Sequence, residues 1–514
     1  MRDRPPPGPV SLFLGKLTEG VIFVKVTDIL LVFENTKIKK RKSKMAQAAT
    51  LPITYCTTND SKKIFSFREA LLMGQAPAPD NGLFVPIRVP HISRQEMLAF
   101  VPLIKKQPYW KIAYEVLRPW FTEQEISDAD LKALLKKAYT FEPTLEEIQR
   151  FTYIMRLDTG PTFSFKDYAM RLLALLFRYF GFKITIITAT SGDTGSAFTD
   201  GFRTGDGSNI LALAVEATFD VCQNLARRVF ADPDLAYLHL SSANSINIGR
   251  ILAQIVYYFY AYAWVVDEIC KLTLAIPSGN FGDMMGAVFA KEMGLWIHKI
   301  IVATNANNEF PLFWRTGIYN PIDPSINCDS NAMNVGNPSN LRRVFQRYGG
   351  HLSNDGVILE MPDMDALHRD IFATSVCDEA TWDAIDRMNY FSKGSCIIEP
   401  HGAVALVGLE RYMSLVRIYG ENINIILETA HPAKFADTMK SKGGIEVPLP
   451  NKLQELLGRS EKYDVLSKKS PDDMYESLKE YIKKHFDTPQ GIQGLVLFPR
   501  YEVSELQRRQ MTVY

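Results

Sequence analysis

One lysine, Lys166, stands where the sequence predicts the start of a helix, and an amine in that position can do carbonyl chemistry. Gly and Pro at 160–161 signal a turn, Thr162 or Ser164 can cap a helix, and apolar residues then recur at helical spacing up to Gly181. The first turn of a helix disfavours positive charge, and partial burial disfavours it further. The amine is therefore easier to deprotonate, and a neutral amine can form a Schiff base, as in pyridoxal phosphate enzymes.

The plain alternative is a surface lysine whose stem lies along an apolar face while its charge stays in water. The other polar loops of the chain have to decide between the two interpretations. The apolar positions of this predicted helix are Phe165, Ala169, Leu172, Leu173, Leu176, Phe177 and Phe180.

A small polar loop follows the predicted strand 183–189. It contains Thr190, Ser191, Asp193 and Thr194, interleaved with glycines. Open α/β sheets bind ligands beyond the carboxyl ends of their strands, where such a loop aims hydroxyls and backbone N–H groups. A simple connection between a strand and a helix would have the same pattern, because every parallel sheet needs such turns.

A second loop of this kind follows the predicted strand 272–276 and leads into a helix through Met293. Its residues are Pro277, Ser278, Gly279, Asn280, Phe281, Gly282 and Asp283. The glycines let the backbone approach an anion, and the helix start adds a favourable dipole, so the loop suits a phosphate. It has neither the G-x-G-x-x-G pattern nor a Walker lysine, which disfavours nucleotide binding.

Two further clusters place polar groups at the ends of apolar segments. Asn244, Ser245 and Arg250 stand at the head of a long apolar run, where the arginine could clamp a second anion. Thr429 follows the predicted strand 423–427, and its neutral hydroxyl suits an unprotonated pyridine nitrogen. Either cluster taken alone could also be an ordinary helix cap, with a surface arginine in the first case.

The elements that must position these groups alternate along the chain. From Phe151 onward, helical and strand patterns follow one another, which predicts an α/β fold with doubly wound parallel sheets. Residues 45–150 form a mainly helical N-terminal region in this interpretation. The segment 451–514 is predicted to form helices with a short terminal strand, and no functional residue is predicted there.

Composition narrows the class of protein. With 514 residues, 46% hydrophobic and 22% charged, the chain is typical of a globular protein of two or three domains. Its 58 basic and 57 acidic residues balance, so nothing favours nucleic acid or an anionic membrane as a partner. Six scattered cysteines support neither a disulfide framework nor a metal site, and they indicate a reducing compartment. The longest apolar run, 251–266, is shorter than the ~20 residues that a membrane span needs, so it is predicted to be a buried helix.

The first 44 residues differ from the rest of the chain. They are Pro-rich, then alternately apolar, then basic; they fit no secretory signal, and their acidic residues argue against an organelle transit peptide. We expect a flexible extension, 1–44, with Met45 as a candidate translation start. N-terminal sequencing of the native protein tests that hypothesis.

Five motifs in this order resemble those of threonine synthase, a pyridoxal phosphate enzyme of fold type II, in its longer form. They are Leu157–Asp167, Ser191–Gly195, Asn244–Asn247 with Arg250, Gly279–Asp283 and Thr429–Phe435. The resemblance covers about 51–450 and implies a large and a small catalytic domain, each a doubly wound parallel sheet, interleaved within 151–450. It also implies a cytoplasmic lyase of threonine biosynthesis, monomeric or homodimeric, with pyridoxal 5'-phosphate as cofactor.

The resemblance assigns the cofactor-binding roles. Lys166 would hold the cofactor as a Schiff base with Phe165 beside the ring, and the loop 279–283 would cradle the phosphate. Asp193 would lie near the phenolic oxygen, and Thr429 would meet the pyridine nitrogen.

The resemblance also assigns the substrate, O-phosphohomoserine. Its carboxylate would lie among Thr190, Ser191 and Thr194. Its phosphate would be gripped by Asn244, Ser245 and Arg250. Lys166 would then act as general base at Cα and Cβ, phosphate would leave Cγ, and water would add at Cβ to give threonine.

One connection departs from the family pattern. Family members carry another strand and helix between the helix after Ser191–Gly195 and the strand that corresponds to 210–216, whereas 203–209 bridges these elements directly here. Losing a parallel strand and its covering helix would remove buried contacts and leave exposed strand edges. A weakened or rearranged small domain is therefore expected.

Two alternatives keep part of this chemistry. A phospho-lyase acting on O-phosphohomoserine or O-phosphothreonine would release an oxo acid and could use the same anion cluster. A paralogue without turnover would bind the cofactor and leave the substrate unchanged. A simple serine or threonine dehydratase ranks lower, because it has no use for a second phosphate clamp.

Overall fold

A computed structural model of the chain describes residues 51–74, 80–105, 107–203, 208–265, 270–416, 422–468 and 470–513. The predicted extension 1–44 and the candidate start at Met45 lie outside the described residues.

The strands of the described residues form two large and two small sheets. In chain order the strands are β1 (Tyr55–Thr57), β2 (Phe84–Pro86), β3 (Thr144–Gln149), β4 (Thr152–Arg156), β5 (Ile184–Ala189), β6 (Asn209–Val215), β7 (Leu240–Ser241), β8 (Leu272–Pro277), β9 (Ile297–Thr304), β10 (His351–Leu352), β11 (Ile358–Glu360), β12 (Ile371–Ser375), β13 (Ile423–Glu428), β14 (Asp464–Leu466) and β15 (Ile492–Pro499).

Helices cover both large sheets and outnumber the strands in the N-terminal region. They are α1 (Phe67–Met73), α2 (Arg94–Ile104), α3 (Tyr109–Leu117), α4 (Asp128–Ala138), α5 (Lys166–Tyr179), α6 (Asp193–Arg203), α7 (Phe219–Ala231), α8 (Ile248–Val265), α9 (Gly282–Glu292), α10 (Glu309–Thr316), α11 (Leu341–Arg347), α12 (Met364–Asp370), α13 (Asp378–Phe391), α14 (Pro400–Val416), α15 (Ala436–Gly443), α16 (Asn451–Leu457), α17 (Pro471–His485) and α18 (Glu505–Thr512).

The larger sheet has six strands in the order β12-β9-β8-β13-β4-β3, all parallel except for the edge pair β3 and β4. Every residue of β8 and of β13 is buried, as expected for central strands covered on both faces. Their mostly apolar sequences reflect that position. The predicted α/β class with parallel sheets is confirmed.

The smaller sheet has five parallel strands in the order β14-β6-β15-β5-β7. Its third strand, β15, comes from the C-terminal segment and pairs with β5 on one side and with β6 on the other. The expectation of an exposed edge between these two strands is therefore wrong, because β15 fills the gap and α18 packs against α6. The domain is rearranged in chain order and remains a continuous sheet.

The predicted buried helix at 251–266 corresponds to α8, in which every side chain from Ile248 to Ala263 is buried. It packs against α5 on one part of its surface and against α9 on another. Within the described ranges, no helix has the length and apolar character to cross a bilayer.

Helix α5 begins at the predicted residue but is buried on more than the predicted apolar face. Asp167, Tyr168, Met170 and Leu175 are buried as well. This helix lies between α6 and α8, so its surroundings are protein on most sides. A lysine at its first turn consequently lies inside the molecule.

Candidate active site

Four loops meet where strands of the two large sheets end. Loops 190–195 and 242–250 follow β5 and β7 of the smaller sheet, whereas 278–283 and 429–435 follow β8 and β13 of the larger one. The carboxyl ends of both sheets therefore face a common cavity.

All the residues predicted from the sequence to bind cofactor or substrate line this one cavity, of about 100 Å³. The predicted lining residues are Phe165, Lys166, Thr190, Ser191, Asp193, Thr194, Asn244, Ser245, Arg250, Gly279, Asn280, Phe281, Gly282, Asp283 and Thr429. Their individual roles remain predictions.

Lys166 is nearly buried and lies against an acid and an aromatic ring. Its Nζ is 3.3 Å from Asp193 Oδ2 and 4.6 Å from the centre of the Phe165 ring. Burial lowers the pKa of Lys166; Asp193 opposes this shift, while the charges of Lys434 and Arg250 reinforce it. The direction agrees with the sequence-based expectation of an easily deprotonated amine, and its largest cause is burial.

The turn before Lys166 is not capped as predicted. Phe165 occupies the N-cap position without a side-chain cap, and neither Thr162 nor Ser164 caps the helix. Instead, the Asp167 carboxylate accepts hydrogen bonds from the Thr162 backbone N–H at 2.8 Å and from its hydroxyl at 2.6 Å. A side chain at Gly160 would collide with Asp167, since its Cβ would lie 2.4 Å from Oδ2. Asp167 thus closes the turn from which Lys166 projects.

Asp193 is the buried acid on which the positive groups converge. Lys434 Nζ lies 2.7 Å from its Oδ1, and Gln507 donates a hydrogen bond of 2.9 Å to the same oxygen. Burial alone would raise the pKa of Asp193, but the charges of Lys434 and Lys166 and these hydrogen bonds outweigh it and hold the pKa far below its usual range.

Sequence reasoning missed the parts played by Lys434 and Gln507. Lys434 belongs to the motif 429–435, so its proximity to Thr429 in sequence was a usable signal. Gln507 lies in the segment 451–514, where no functional residue was predicted, and the structure places its side chain against Asp193. Its proximity follows from the insertion of β15, because α18 comes directly after that strand.

The loop 279–283 has the backbone shape that an anion site requires. Phe281 adopts a left-handed conformation with φ 61°, and α9 begins at the next residue. A Cβ on Gly279 would lie 2.8 Å from the Ala332 carbonyl, so only glycine fits there. The N–H groups of this helix start are the natural ligands of a phosphate.

Asp283, the last residue of this loop, is hydrogen-bonded to two buried tyrosines. Tyr258 donates a hydrogen bond of 2.7 Å to Asp283 Oδ1, and Tyr257 donates to the same oxygen. Burial raises the pKa of Asp283 to about 6. These contacts anchor the start of α9.

Arg250 is buried without a compensating acid. Its Nη1 donates to the Ala243 carbonyl at 2.7 Å, whereas Nε has no hydrogen-bond partner and no carboxylate pairs with it in the described part of the chain. Burial lowers its pKa to about 10. A buried guanidinium in this state is favoured by an anion, and Ser245, held by Asn340 Nδ2 at 3.1 Å, lies on the same cavity wall.

Thr429 and His401 also line the cavity, and Glu399 lies behind them in contact with both; neither His401 nor Glu399 was predicted. Its hydroxyl donates to Glu399 Oε1 at 3.4 Å, a long hydrogen bond. His401 Nδ1 lies 2.5 Å from Glu399 Oε2, and its Nε2 accepts from the Ala332 N–H at 3.1 Å. Glu399 stands alone in an apolar stretch of sequence, so no local pattern indicated it.

The comparisons with known proteins agree with this geometry. The family model described as "Threonine synthase N terminus" matches residues 54–139, and that described as "Threonine synthase, C-terminal" matches residues 403–482. The threonine synthase of Haemophilus influenzae is 33% identical over 437 residues, which cover 79% of this chain and 94% of that protein. The chain belongs to the threonine synthase family.

Solved structures of the family share the fold. The pyridoxal phosphate-bound threonine synthase of Brucella melitensis superposes with a TM-score of 0.73 at 29% identity, covering 84% of this chain and 99% of that one. The threonine synthase of Saccharomyces cerevisiae is 31% identical over 458 residues, covering 75% of this chain and 88% of that protein. The predicted family, fold type, lyase class and cofactor are confirmed.

Proposed function

We propose that this cavity holds pyridoxal 5'-phosphate on Lys166 and converts O-phospho-L-homoserine and water to L-threonine and phosphate. The observation that supports the proposal is a lysine of lowered pKa, Lys166, that lines the same cavity as two groups of residues suited to anions. The loop 279–283 is one of these sites, and Arg250 with Ser245 is the other.

The residues fit the cofactor. Lys166 offers an amine, the left-handed turn at Phe281 offers backbone N–H groups at a helix start, and Thr429 offers a neutral hydroxyl across the cavity. Asp193 supplies a carboxylate that stays ionised beside Lys166. When bound, pyridoxal phosphate supplies an electron sink for charge that develops on the substrate.

Different residues of the chain would then transfer protons, bind the substrate phosphate and shape the loop at the substrate carboxylate. The amine of Lys166 would take protons from Cα and Cβ of the substrate, which burial favours by lowering the pKa of the amine. Arg250 and Ser245 hold the substrate phosphate and neutralise the charge that it carries away from Cγ. Thr190 accepts N–H bonds of 2.9 Å from Gly192 and Gly195, and so shapes the loop that meets the substrate carboxylate.

Further assignments follow from the same proposal. We propose a cytoplasmic enzyme, because all six cysteines are free thiols and four of them are buried. We also propose a monomer or a homodimer, an assignment that rests on the resemblance to the family alone. We also propose that the catalytic domains occupy 151–450 together with β15 and α18. Cell fractionation and light scattering test the location and the oligomeric state.

The test is an assay of the purified, cofactor-loaded protein with O-phosphohomoserine. Threonine and phosphate are expected in equal amounts, and the Lys166→Ala variant is expected to form neither. Release of phosphate with 2-oxobutyrate instead of threonine would identify a phospho-lyase and refute the proposal.

A further inference from the structure

A second cavity, of about 620 Å³, lies beside the candidate active site. Ala189, Asn244, Ser245 and Asn280 line both cavities. The two therefore meet at residues that flank the Arg250 anion site. A phosphorylated molecule that approaches Arg250 from this side passes through the larger cavity, which we call the cleft.

Two arginines from two different helices line the cleft. Arg227 lies on α7, which covers the smaller sheet, and Arg342 lies on α11, outside that sheet. Arg342 is only 8% exposed and is held by its hydrogen bonds to the Ser339 carbonyl at 3.3 Å and the Asn81 carbonyl at 3.1 Å, and by a contact with Asn354.

The two guanidinium groups are close enough to affect one another. Burial and then the charge of Arg227 lower the pKa of Arg342 to about 10, and Asp80 partly offsets them. Within the described ranges, neither arginine forms an ion pair. The acid Asp232 on the cleft wall is already bound by Lys479 at 2.7 Å.

The two guanidinium charges repel each other, and a dianion bound between them would remove that repulsion. Guanidinium groups suit phosphate oxygens because their N–H groups form paired hydrogen bonds. The remaining cleft wall offers neutral hydrogen-bonding groups, including Ser242, Asn337 and Ser353, and one further acid, the exposed Asp355. The ligand chemistry that fits the cleft is therefore a phosphate group.

We propose that Arg227 and Arg342 form a second phosphate subsite in the cleft, next to the Arg250 site. The phosphate belongs either to the substrate on its way in or to the released product on its way out. The identity of that substrate rests on the proposed function, whereas phosphate binding itself does not.

The first experiment titrates inorganic phosphate into the cofactor-loaded protein by calorimetry. The first variant is Arg227→Gln, and the second is Arg342→Lys, which keeps the positive charge but loses the forked guanidinium group. Arg315→Gln is the matched control, because Arg315 is an exposed arginine on α10. Wild type and the control are expected to show two phosphate sites. Arg227→Gln is expected to retain one, and Arg342→Lys to bind at the second about tenfold more weakly.

The second experiment measures kcat/KM for O-phosphohomoserine as a function of salt. If the cleft takes the incoming substrate, Arg227→Gln lowers kcat/KM about tenfold at low salt, flattens its salt dependence and leaves kcat within about twofold of wild type. A loss in the titration alone assigns the subsite to released phosphate.

Equal phosphate titrations of wild type, Arg227→Gln and Arg315→Gln would overturn the proposal. If the wild type makes no threonine while the titrations still differ, the proposed function fails and the subsite stands.

Discussion

Asp193 joins side chains from three distant parts of the chain: Lys166, Lys434 and Gln507. The charge of Lys434 is one cause of the lowered pKa of Lys166. Removal of that charge should therefore raise the pKa of Lys166. Lys166 and Lys434 contact different oxygens of the Asp193 carboxylate, so Lys434 affects Lys166 both directly by its charge and through Asp193.

Lys434→Met is expected to slow the recombination of pyridoxal phosphate with the apo-protein at neutral pH and to move the pH dependence of that rate to higher pH. The measurement is the rate of the absorbance change of the cofactor across pH. Lys440→Met is the control, because Lys440 is exposed and pairs only with Glu446 at the surface. An unchanged pH profile in Lys434→Met would contradict the electrostatic role.

His431 provides a pH dependence of stability. Burial, with Arg156 and Lys434, lowers its pKa from 6.5 to about 4. Between these values the unfolded chain binds more protons, so the stability from neutral His431 is complete above pH 6.5 and is lost as the pH falls to 4. The size of the loss is about 3 kcal/mol.

His431→Asn keeps an acceptor for the Ala433 N–H, which donates to His431 Nδ1 at 3.1 Å. Its free energy of unfolding is expected to fall less steeply than that of wild type between pH 6.5 and pH 4. Urea denaturation at several pH values measures the difference. Parallel curves would show that His431 is not the responsible group.

At the scale of elements, the position of β15 is the feature that chain order concealed. A short apolar strand near the C-terminus was predicted, but its place between β5 and β6 was not, because the apolar pattern reports burial and not the neighbouring strands. The same insertion delivers α18 and its Gln507 to Asp193. The site residues that were predicted from the loops after strands do line one cavity, because the carboxyl ends of parallel strands lie at the same edge of a sheet.

A pair of glycine substitutions tests that insertion. A Cβ on Gly494, within β15, would lie 2.7 Å from Phe198 Cζ and 3.1 Å from Ile210 Cδ1, whereas one on Gly491 would meet nothing within 4 Å. Gly494→Ala is expected to lower the free energy of unfolding by about 1–3 kcal/mol. Gly491→Ala should unfold in urea as wild type does. Equal midpoints for the two variants would contradict the central position of β15.

The side chains that contact the predicted site residues from behind could not be predicted from the sequence. Glu399, Lys434 and Gln507 act through side-chain contacts across the fold, and their types are common on protein surfaces. The glycine loop, the polar turn at 190–195 and the Arg250 cluster were predictable because their local sequence already expresses the required backbone. Only the tertiary structure shows which acid each cation meets.

At the scale of the whole molecule, both large sheets contribute to one cavity. The smaller sheet supplies Asp193 and Asn244, and the larger supplies 279–283 and Thr429. A cofactor bound by both would join the two sheets, so loading should stabilise the protein by mass action. A net charge of +1 gives the whole molecule little attraction for anions, so the proposed binding of anions would depend on local arginines such as Arg250.

The most direct test follows the oxygen atoms of the reaction. The cofactor-loaded protein is incubated with O-phosphohomoserine in water enriched in the heavy oxygen isotope, and the products are analysed by mass spectrometry. Elimination from Cγ followed by addition of water at Cβ predicts label in the threonine hydroxyl and none in the phosphate. Labelled phosphate together with homoserine would reveal simple hydrolysis and contradict the account.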